Sequence, residues 1–111
     1  MTRFDSRHRG RVLGLDVMHR DGGLLLASCG QDGTVRLWRG VEGRPASPPM
    51  TGHAGWVRAV RLVPARGRTM VVSGGDDGHV RRWDAATGDP VGDPVAPGGG
   101  LLTLAVVHAD P

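Results

Sequence analysis

The chain contains no lysine, isoleucine, asparagine or tyrosine, and all 14 of its basic residues are arginine. Those four absent residues have the most A- and T-rich codons, so their joint absence points to a very GC-rich coding sequence and a bacterial source. The net charge is only +3, with 11 acids spread among the arginines. The densest basic run is Arg81-Arg82, far short of a nucleic-acid-binding stripe, and no nucleic-acid partner is expected. Cys29 is the sole cysteine, which excludes a disulfide framework and a thiolate metal site. No apolar run approaches the ~18–20 residues that span a bilayer. Met1–Gly10 is polar and holds no apolar stretch of the secretory kind. The expectation is a cytoplasmic protein without membrane contact.

What is abundant is punctuation. Nineteen glycines and eight prolines make up about a quarter of the 111 residues. Without a period, that share would point to a disordered chain. There is a period. Displaced by 45 residues, the stretch from His8 to Arg39 falls on His53 to Asp84 without a gap. Identical pairs include His8/His53, Gly10/Gly55, Val12/Val57, Ser28/Ser73, Gly30/Gly75, Asp32/Asp77, Gly33/Gly78, Val35/Val80, Arg36/Arg81 and Trp38/Trp83. A displacement of 44 lays Leu101–His108 on Val57–Pro64, the opening of a third copy. Self-similarity at such a period is the signature of a repeat architecture.

Each copy reads as short strands between turns. Val12–Met18 and Val57–Val63 mix alternating and continuous apolar positions without breakers. Leu24–Ala27 and Thr69–Ser73 are apolar runs too short for helices. Asp32-Gly33 and Asp77-Gly78 suit a two-residue hairpin turn whose central residues both take positive φ. They lead into Thr34–Trp38 and His79–Trp83. The proline-bearing stretches Arg44–Met50 and Asp89–Val95 fit only short outer strands or loops, since proline cannot donate to a ladder. No segment has a helical period, and the fold class is all-β.

These residues resemble a known family. "GHAGWVRAVRLVP…VVSGGDDGHVRRWD" and "RHRGRVLGLDVMH…LASCGQDGTVRLWR" are similar to the Trp-Asp (WD) repeats of β-propellers, whose Gly-His…Trp-Asp signature recurs every ~40–45 residues. The resemblance implies four-stranded antiparallel blades, with each sequence repeat starting in the outer strand of one blade and continuing into the next. Repeat 1 then spans residues 8–52 and repeat 2 spans 53–97. Residues 1–7 form a lead-in or the outer strand of a preceding blade, and 98–111 a linker and the first strand of an incomplete third repeat. Family propellers close with at least ~4 blades, so two repeats make a partial propeller that cannot close a ring alone. Three departures stand out: Arg7-His8 for Gly-His, Trp38-Arg39 for Trp-Asp, and Gly98–Gly100 in the place of a third Gly-His.

His53, Ser73 and Asp77, and again His8, Ser28 and Asp32, have the identities of a hydrolase triad. A nucleophile, however, needs a strained, exposed turn beside an oxyanion hole. Both serines lie inside apolar strands, and an enzyme seldom carries its catalytic set twice. The resemblance implies another use, a buried hydrogen-bond network of His8, Ser28, Asp32 and Trp38, repeated by His53, Ser73, Asp77 and Trp83. Trp only donates, an ionised Asp only accepts, and Ser and His do both. A chain of the four can satisfy every buried polar atom, and a half-satisfied one would be worse than an apolar core. Cys29, opposite Gly74, reads as a small buried residue rather than a reactive thiol. The five histidines lack ligand spacing, Asp76-Asp77-Gly78 lacks the later acids of a calcium loop, and Gly98–Gly100 does not open a helix as a phosphate loop would. Neither metal nor cofactor is expected.

Function, on this reading, is non-catalytic: a protein-protein interaction scaffold within a bacterial signalling or regulatory protein. In GC-rich bacteria similar repeats are attached to signalling ATPases or Ser/Thr kinases. By position in the family, the partner-binding face would receive Arg11, Leu13 and Gln31 from the first blade and Trp56, Arg58 and Asp76 from the second. Trp56 lies outside the core set, and Trp and Arg are enriched in interface hot spots; the alternative is that it packs on the neighbouring blade. Further blades, or self-association, would complete the ring. The competing readings are a hydrolase built on the His-Ser-Asp set and a truncated remnant without independent function.

Overall fold

Residues 8–20, 23–40, 44–65 and 67–94 are described by a computed structural model. The lead-in at 1–7 and the third-repeat strand at 98–111 lie outside these residues. Two antiparallel sheets follow one another along the chain. The first takes β1 (Val12–Arg20), β2 (Gly23–Gly30), β3 (Val35–Arg39) and β4 (Arg44–Pro45), ordered as in the sequence. The second takes β5 (Val57–Ala65), β6 (Arg68–Gly75) and β7 (Val80–Asp84). The all-β expectation holds: the described residues contain strands and turns and no helix, and so none long and apolar enough to cross a membrane.

The 45-residue period is a structural period as well. The register shifts between Val12 and Gly14 in the first sheet and between Val57 and Ala59 in the second. Trp38 pairs with Pro45, and Trp83 bridges Pro90 at the equivalent place. Both prolines lie on the outermost ladder, where no further strand asks for their missing N–H.

The turns differ from the expected two-residue hairpin. β2 ends at Gly30 and β3 begins at Val35, so four residues, Gln31 to Thr34, connect them. Gly33 N–H donates to the Gly30 carbonyl at 3.2 Å, and Gly33 takes φ +78°. Gly78 N–H donates to Gly75 at 3.1 Å with φ +75°. Only the glycine needs positive φ, and the longer loop lets each aspartate turn its carboxylate back toward the preceding loop. β1 and β5 also run two residues past the expected ends, to Arg20 and Ala65, because hairpin pairing continues to the turn at Arg20↔Gly23 and Ala65↔Arg68.

The sheets stack face to face. Ala27, Cys29, Val35, Leu37 and Met50 from the first meet Val57, Val60, Leu62, Val71, Trp83 and Ala85 from the second in one buried cluster. A buried side chain of this size contributes about 1.5–3 kcal/mol, so the two sheets stabilise each other. Approach is closest between β1 and β5. A Cβ built on Gly14 would lie 3.1 Å from the Arg58 carbonyl oxygen and 2.8 Å from the Cys29 sulfur, so no larger residue fits without displacement. Alongside, Leu62 N–H donates to Asp16 Oδ2 across the sheets at 2.7 Å. Cys29 is buried and its thiol pKa is pushed up to about 12 by desolvation, which keeps it protonated and unreactive.

Candidate functional site

Four loops gather at one end of the sheet pair: those before β1 and β5, and the β2–β3 and β6–β7 turns. They touch across the blade boundary. A Cβ on Gly33 would lie 3.1 Å from the Gly55 carbonyl oxygen and 3.3 Å from that of His53.

Beneath them lie the paired polar sets. In the first sheet the Trp38 indole N–H donates to Ser28 Oγ at 2.9 Å, His8 Nε2 is 2.8 Å from that oxygen, and His8 Nδ1 is 3.0 Å from Asp32 Oδ1. In the second the distances are 3.0 Å from Trp83 to Ser73, 2.7 Å from Ser73 to His53 Nε2, and 3.0 Å from His53 Nδ1 to Asp77 Oδ2. The structure brings all eight residues together in two sets of four.

The donor order follows from the chemistry. Burial of Asp32 works against its charge, but hydrogen bonds from His8, Thr34 and the Arg9 and Thr34 backbone outweigh it and lower its pKa to about 2. Asp77 is likewise lowered: desolvation opposes, while the His79 and Ala54 N–H groups and His53 prevail. An ionised carboxylate only accepts, so Nδ1 of each histidine carries the proton. Nε2 then accepts from the serine hydroxyl, whose oxygen accepts from tryptophan. Burial is the largest influence on His53 and lowers its pKa, which favours this neutral tautomer.

Serine-to-histidine-to-aspartate is also the donor order of a hydrolytic triad. The difference is access. Ser28 and Ser73 have no exposed surface, and each serine oxygen already accepts from a tryptophan N–H. The sets tie each leading loop to its turn: Asp32 also accepts from Arg9 N–H at 3.1 Å, and Asp77 from Ala54 N–H at 3.0 Å.

Thr34 is a member that sequence reasoning missed. Its hydroxyl donates to Asp32 Oδ1 at 2.8 Å and its N–H reaches the same oxygen at 3.2 Å. The Asp-Gly-Thr order was the available signal, since short hydroxyl side chains after an aspartate favour such local bonds. The second set has His79 instead, with its Nδ1 3.8 Å from Asp77 Oδ2 and no hydrogen-bond partner.

Above the networks lie the six candidate contact residues. Trp56 is 41% exposed. The Arg58 guanidinium sits 5.0 Å from the centre of its ring and holds both Asp76 oxygens, through Nε and at 3.3 Å through Nη2. Asp76 N–H donates to the Trp56 carbonyl at 2.9 Å. Indole, guanidinium and carboxylate thus form one braced patch. The first blade offers less. Gln31 Oε1 accepts from Arg11 N–H at 3.1 Å, Gln31 N–H returns a bond to the Arg11 carbonyl at 3.0 Å, and half-buried Leu13 stands in Arg58's place without a polar group. Among the described residues, no group of three His, Cys, Asp or Glu could hold a metal.

Known proteins resemble parts of the chain. Over 59 residues the chain is 36% identical to the nuclear distribution protein nudF 1 of Talaromyces marneffei, and 39% identical to the nuclear distribution protein PAC1 of Ajellomyces capsulatus. Each alignment covers 53% of this chain and 13% of the relative, so the chain matches a small part of those proteins. The crystal structure of the WD40 β-propeller domain of Doa1 superposes with a TM-score of 0.74 and 27% identity, covering 90% of this chain and 31% of that one. The family described as "WD domain, G-beta repeat" matches residues 2–39 and 46–84, the second match running from just past the outer strand of one sheet through the three strands of the next, and on that evidence the chain belongs to the WD40 repeat family as part of a β-propeller.

Proposed function

We propose that the chain contributes two blades to a non-catalytic protein-interaction scaffold in the bacterial cytoplasm, and that the patch of Trp56, Arg58 and Asp76 is its principal contact with a protein or peptide partner. WD40 domains are in general interaction scaffolds; the partner, the compartment and the regulatory setting are our reading. The observation that carries it is Trp56. A large aromatic is left 41% exposed on the loop face, braced by an arginine whose charge is balanced by its own aspartate. Such a patch presents apolar area at low ordering cost, which is the character of a hot spot. The His-Ser-Asp sets support the non-catalytic half of the reading, since their serine oxygens are buried and already bonded.

The test is Trp56→Ala, measured by capture of partners on the immobilised protein and by thermal melting. The expected outcome is retained melting and at least about tenfold weaker capture, the size of a hot-spot loss. A stability loss as large as that of Trp83→Ala would instead make Trp56 a packing residue. Turnover of an activated ester that disappears in folded Ser73→Ala would overturn the non-catalytic reading.

A further inference from the structure

We propose that the groove between the two blades, at the end of the sheet pair away from the Trp56 patch, binds a peptide segment in which an aspartate or glutamate stands beside aliphatic side chains. It rests on the scaffold reading above only in taking a peptide as the partner. The groove and the Trp56 patch share no residue, so either can fail alone.

The cavity measures about 440 Å³, within the range of ligand sites and of a size for one or two side chains. Leu24 and Leu25, from the start of β2, supply one wall, and Ala85 and Ala86, just after β7, supply the other. Equivalent backbone bonds fix the two walls. Gly40 N–H donates to the Leu24 carbonyl, and Ala85 N–H to the Thr69 carbonyl, each at 3.0 Å. Both walls belong to this chain, so the groove does not depend on what lies beyond either blade.

Charge at the mouth is one-sided. In the second sheet, Arg68 Nη1 lies 3.5 Å from Asp84 Oδ2. Forty-five residues earlier the same two places hold Gly23 and Arg39, and both line the groove. The glycine leaves the mouth open, and the arginine replaces the acid, which is the Trp38-Arg39 departure from the Trp-Asp signature. Arg39 stands directly across the ladder from Arg44, and like charges so placed destabilise a sheet. The second blade has Asp84 and Asp89 at these positions, so the pair of bases is particular to the first. Leu37 and Ala46, each two residues away, pack into the core between the sheets, so both arginines are on the face turned toward the second blade. Both are exposed, and among the described residues neither side chain has a hydrogen bond or ion pair.

The occupant follows from that combination. A carboxylate accepts from neighbouring guanidinium groups and relieves their repulsion, while an adjacent aliphatic side chain fills the leucine-alanine walls. A nucleic acid would reach the arginines but leave those walls wet, and no aromatic among the described lining residues is there to stack a base. Gly23, Gly67 and Ala86 are exposed along the mouth, so a chain can enter and leave the groove.

The experiment titrates the full chain with the end-blocked peptides Gly-Leu-Asp-Leu-Gly and Gly-Leu-Asn-Leu-Gly and follows backbone amide shifts by NMR. The aspartate peptide is expected to move the Leu24, Leu25, Ala85 and Ala86 signals. It should bind at least about tenfold tighter than the asparagine peptide, which lacks the charge-assisted bonds. Arg39→Gln and Arg44→Gln should each weaken it at least about threefold, and Trp56→Ala should leave it unchanged. Arg39→Gln should melt at or above the wild-type temperature, because a like-charge pair is relieved. A lower melting temperature would show that an acid of the chain itself holds this guanidinium, and would overturn the proposal. So would an absence of shifts at these amides, equal binding of the two peptides, undiminished binding by both arginine variants, or loss of binding in Trp56→Ala. N-acetylleucine binding as tightly as the aspartate peptide would make a small carboxylate the ligand and overturn the peptide assignment.

Discussion

The two blades have nearly the same sequence pattern and very different surroundings. In the second, Val60 and Leu62 disappear against a neighbour; in the first, Leu15 and Val17 face outward at more than half exposure. On the opposite faces the asymmetry reverses. Ala27, Val35 and Leu37 of the first sheet are buried, whereas their counterparts Val72 and Val80 are half-buried and Arg82 is exposed. Strand, register and bulge are properties of the repeat, whereas burial is a property of the stack. Stability in such an array is a sum of repeat terms and nearest-neighbour terms, and this chain separates the two.

The largest effect should come from breaking the shared interface. Trp83 is 2% exposed and belongs to the cluster between the sheets. Trp83→Ala should cost about 3–5 kcal/mol and Leu62→Ala about 2–5 kcal/mol, because both leave a cavity between two sheets. Trp38→Ala removes the same serine bond but no contact in that cluster, and its cost should be visibly smaller. Chemical denaturation of the three variants checks the ranking. Equal losses from Trp38→Ala and Trp83→Ala would show that the repeat term, and not the neighbour term, dominates.

Next in size is the response to acid, which tests the carboxylates of both networks and the histidine of the second. Asp32 is held at about 2, below its ordinary 3.8, and Asp77 is lowered in the same direction. A carboxylate depressed in the folded state contributes stability above its unfolded pKa, and that contribution is lost as pH falls through the folded value. His53 adds an earlier loss. Its folded pKa lies below the ordinary 6.5, so the unfolded chain binds the proton more readily and stability falls once pH drops below that value. Melting temperature should therefore decline from near neutrality downward and fall more steeply below the ordinary carboxylate range. In His53→Gln the first decline should be smaller. A melting temperature that rises between neutral pH and the carboxylate range would mean a charged His53 paired to Asp77, and a different donor order in the second network.

The repeat and the strands were legible because each rests on local pattern, alternation and Asp-Gly punctuation; the eight polar and tryptophan residues stood out by recurring at the period, and it was the family resemblance that implied joining them in two networks. Other features needed three dimensions. Alternation marks Leu15 and Val60 alike as face residues and cannot say which has a neighbour. The Asp-Gly dipeptide marks a turn, but the loop is two residues longer because the aspartate must reach a histidine 24 positions earlier. Arg58 and Asp76 stand 18 positions apart, and only the pairing of β5 with β6 brings them to one patch with Trp56. The bond from Leu62 to Asp16 spans 46 positions and exists only because the blades stack.

A smaller effect follows from the one place where the two networks differ in composition. Thr34 satisfies Asp32 twice over, whereas His79 offers Asp77 its N–H at 3.1 Å and leaves its ring Nδ1 unpartnered. His79→Thr copies the first network onto the second. It adds one hydroxyl-to-carboxylate bond and removes one orphaned nitrogen, so a gain of about 0.5–1.5 kcal/mol is expected. Thr34→Val should lose about as much. Thermal melts of the two single variants and the double variant test whether the turns are interchangeable; a loss in His79→Thr would show that the imidazole packs usefully where it stands.

The smallest effect isolates the neighbour term most cleanly. Val17 has the same place in β1 as Leu62 in β5, yet it is 51% exposed where Leu62 is 7%. In a single chain, Val17→Ala removes methyl groups that already face water, and the stability change should stay within about 0.5 kcal/mol, as for other surface substitutions. Leu62→Ala, measured beside it, supplies the scale. Chemical denaturation of wild type and the two variants checks the contrast: a Val17→Ala loss as large as that of Leu62→Ala would show that the strand itself, and not the neighbour that covers Leu62, carries the stability.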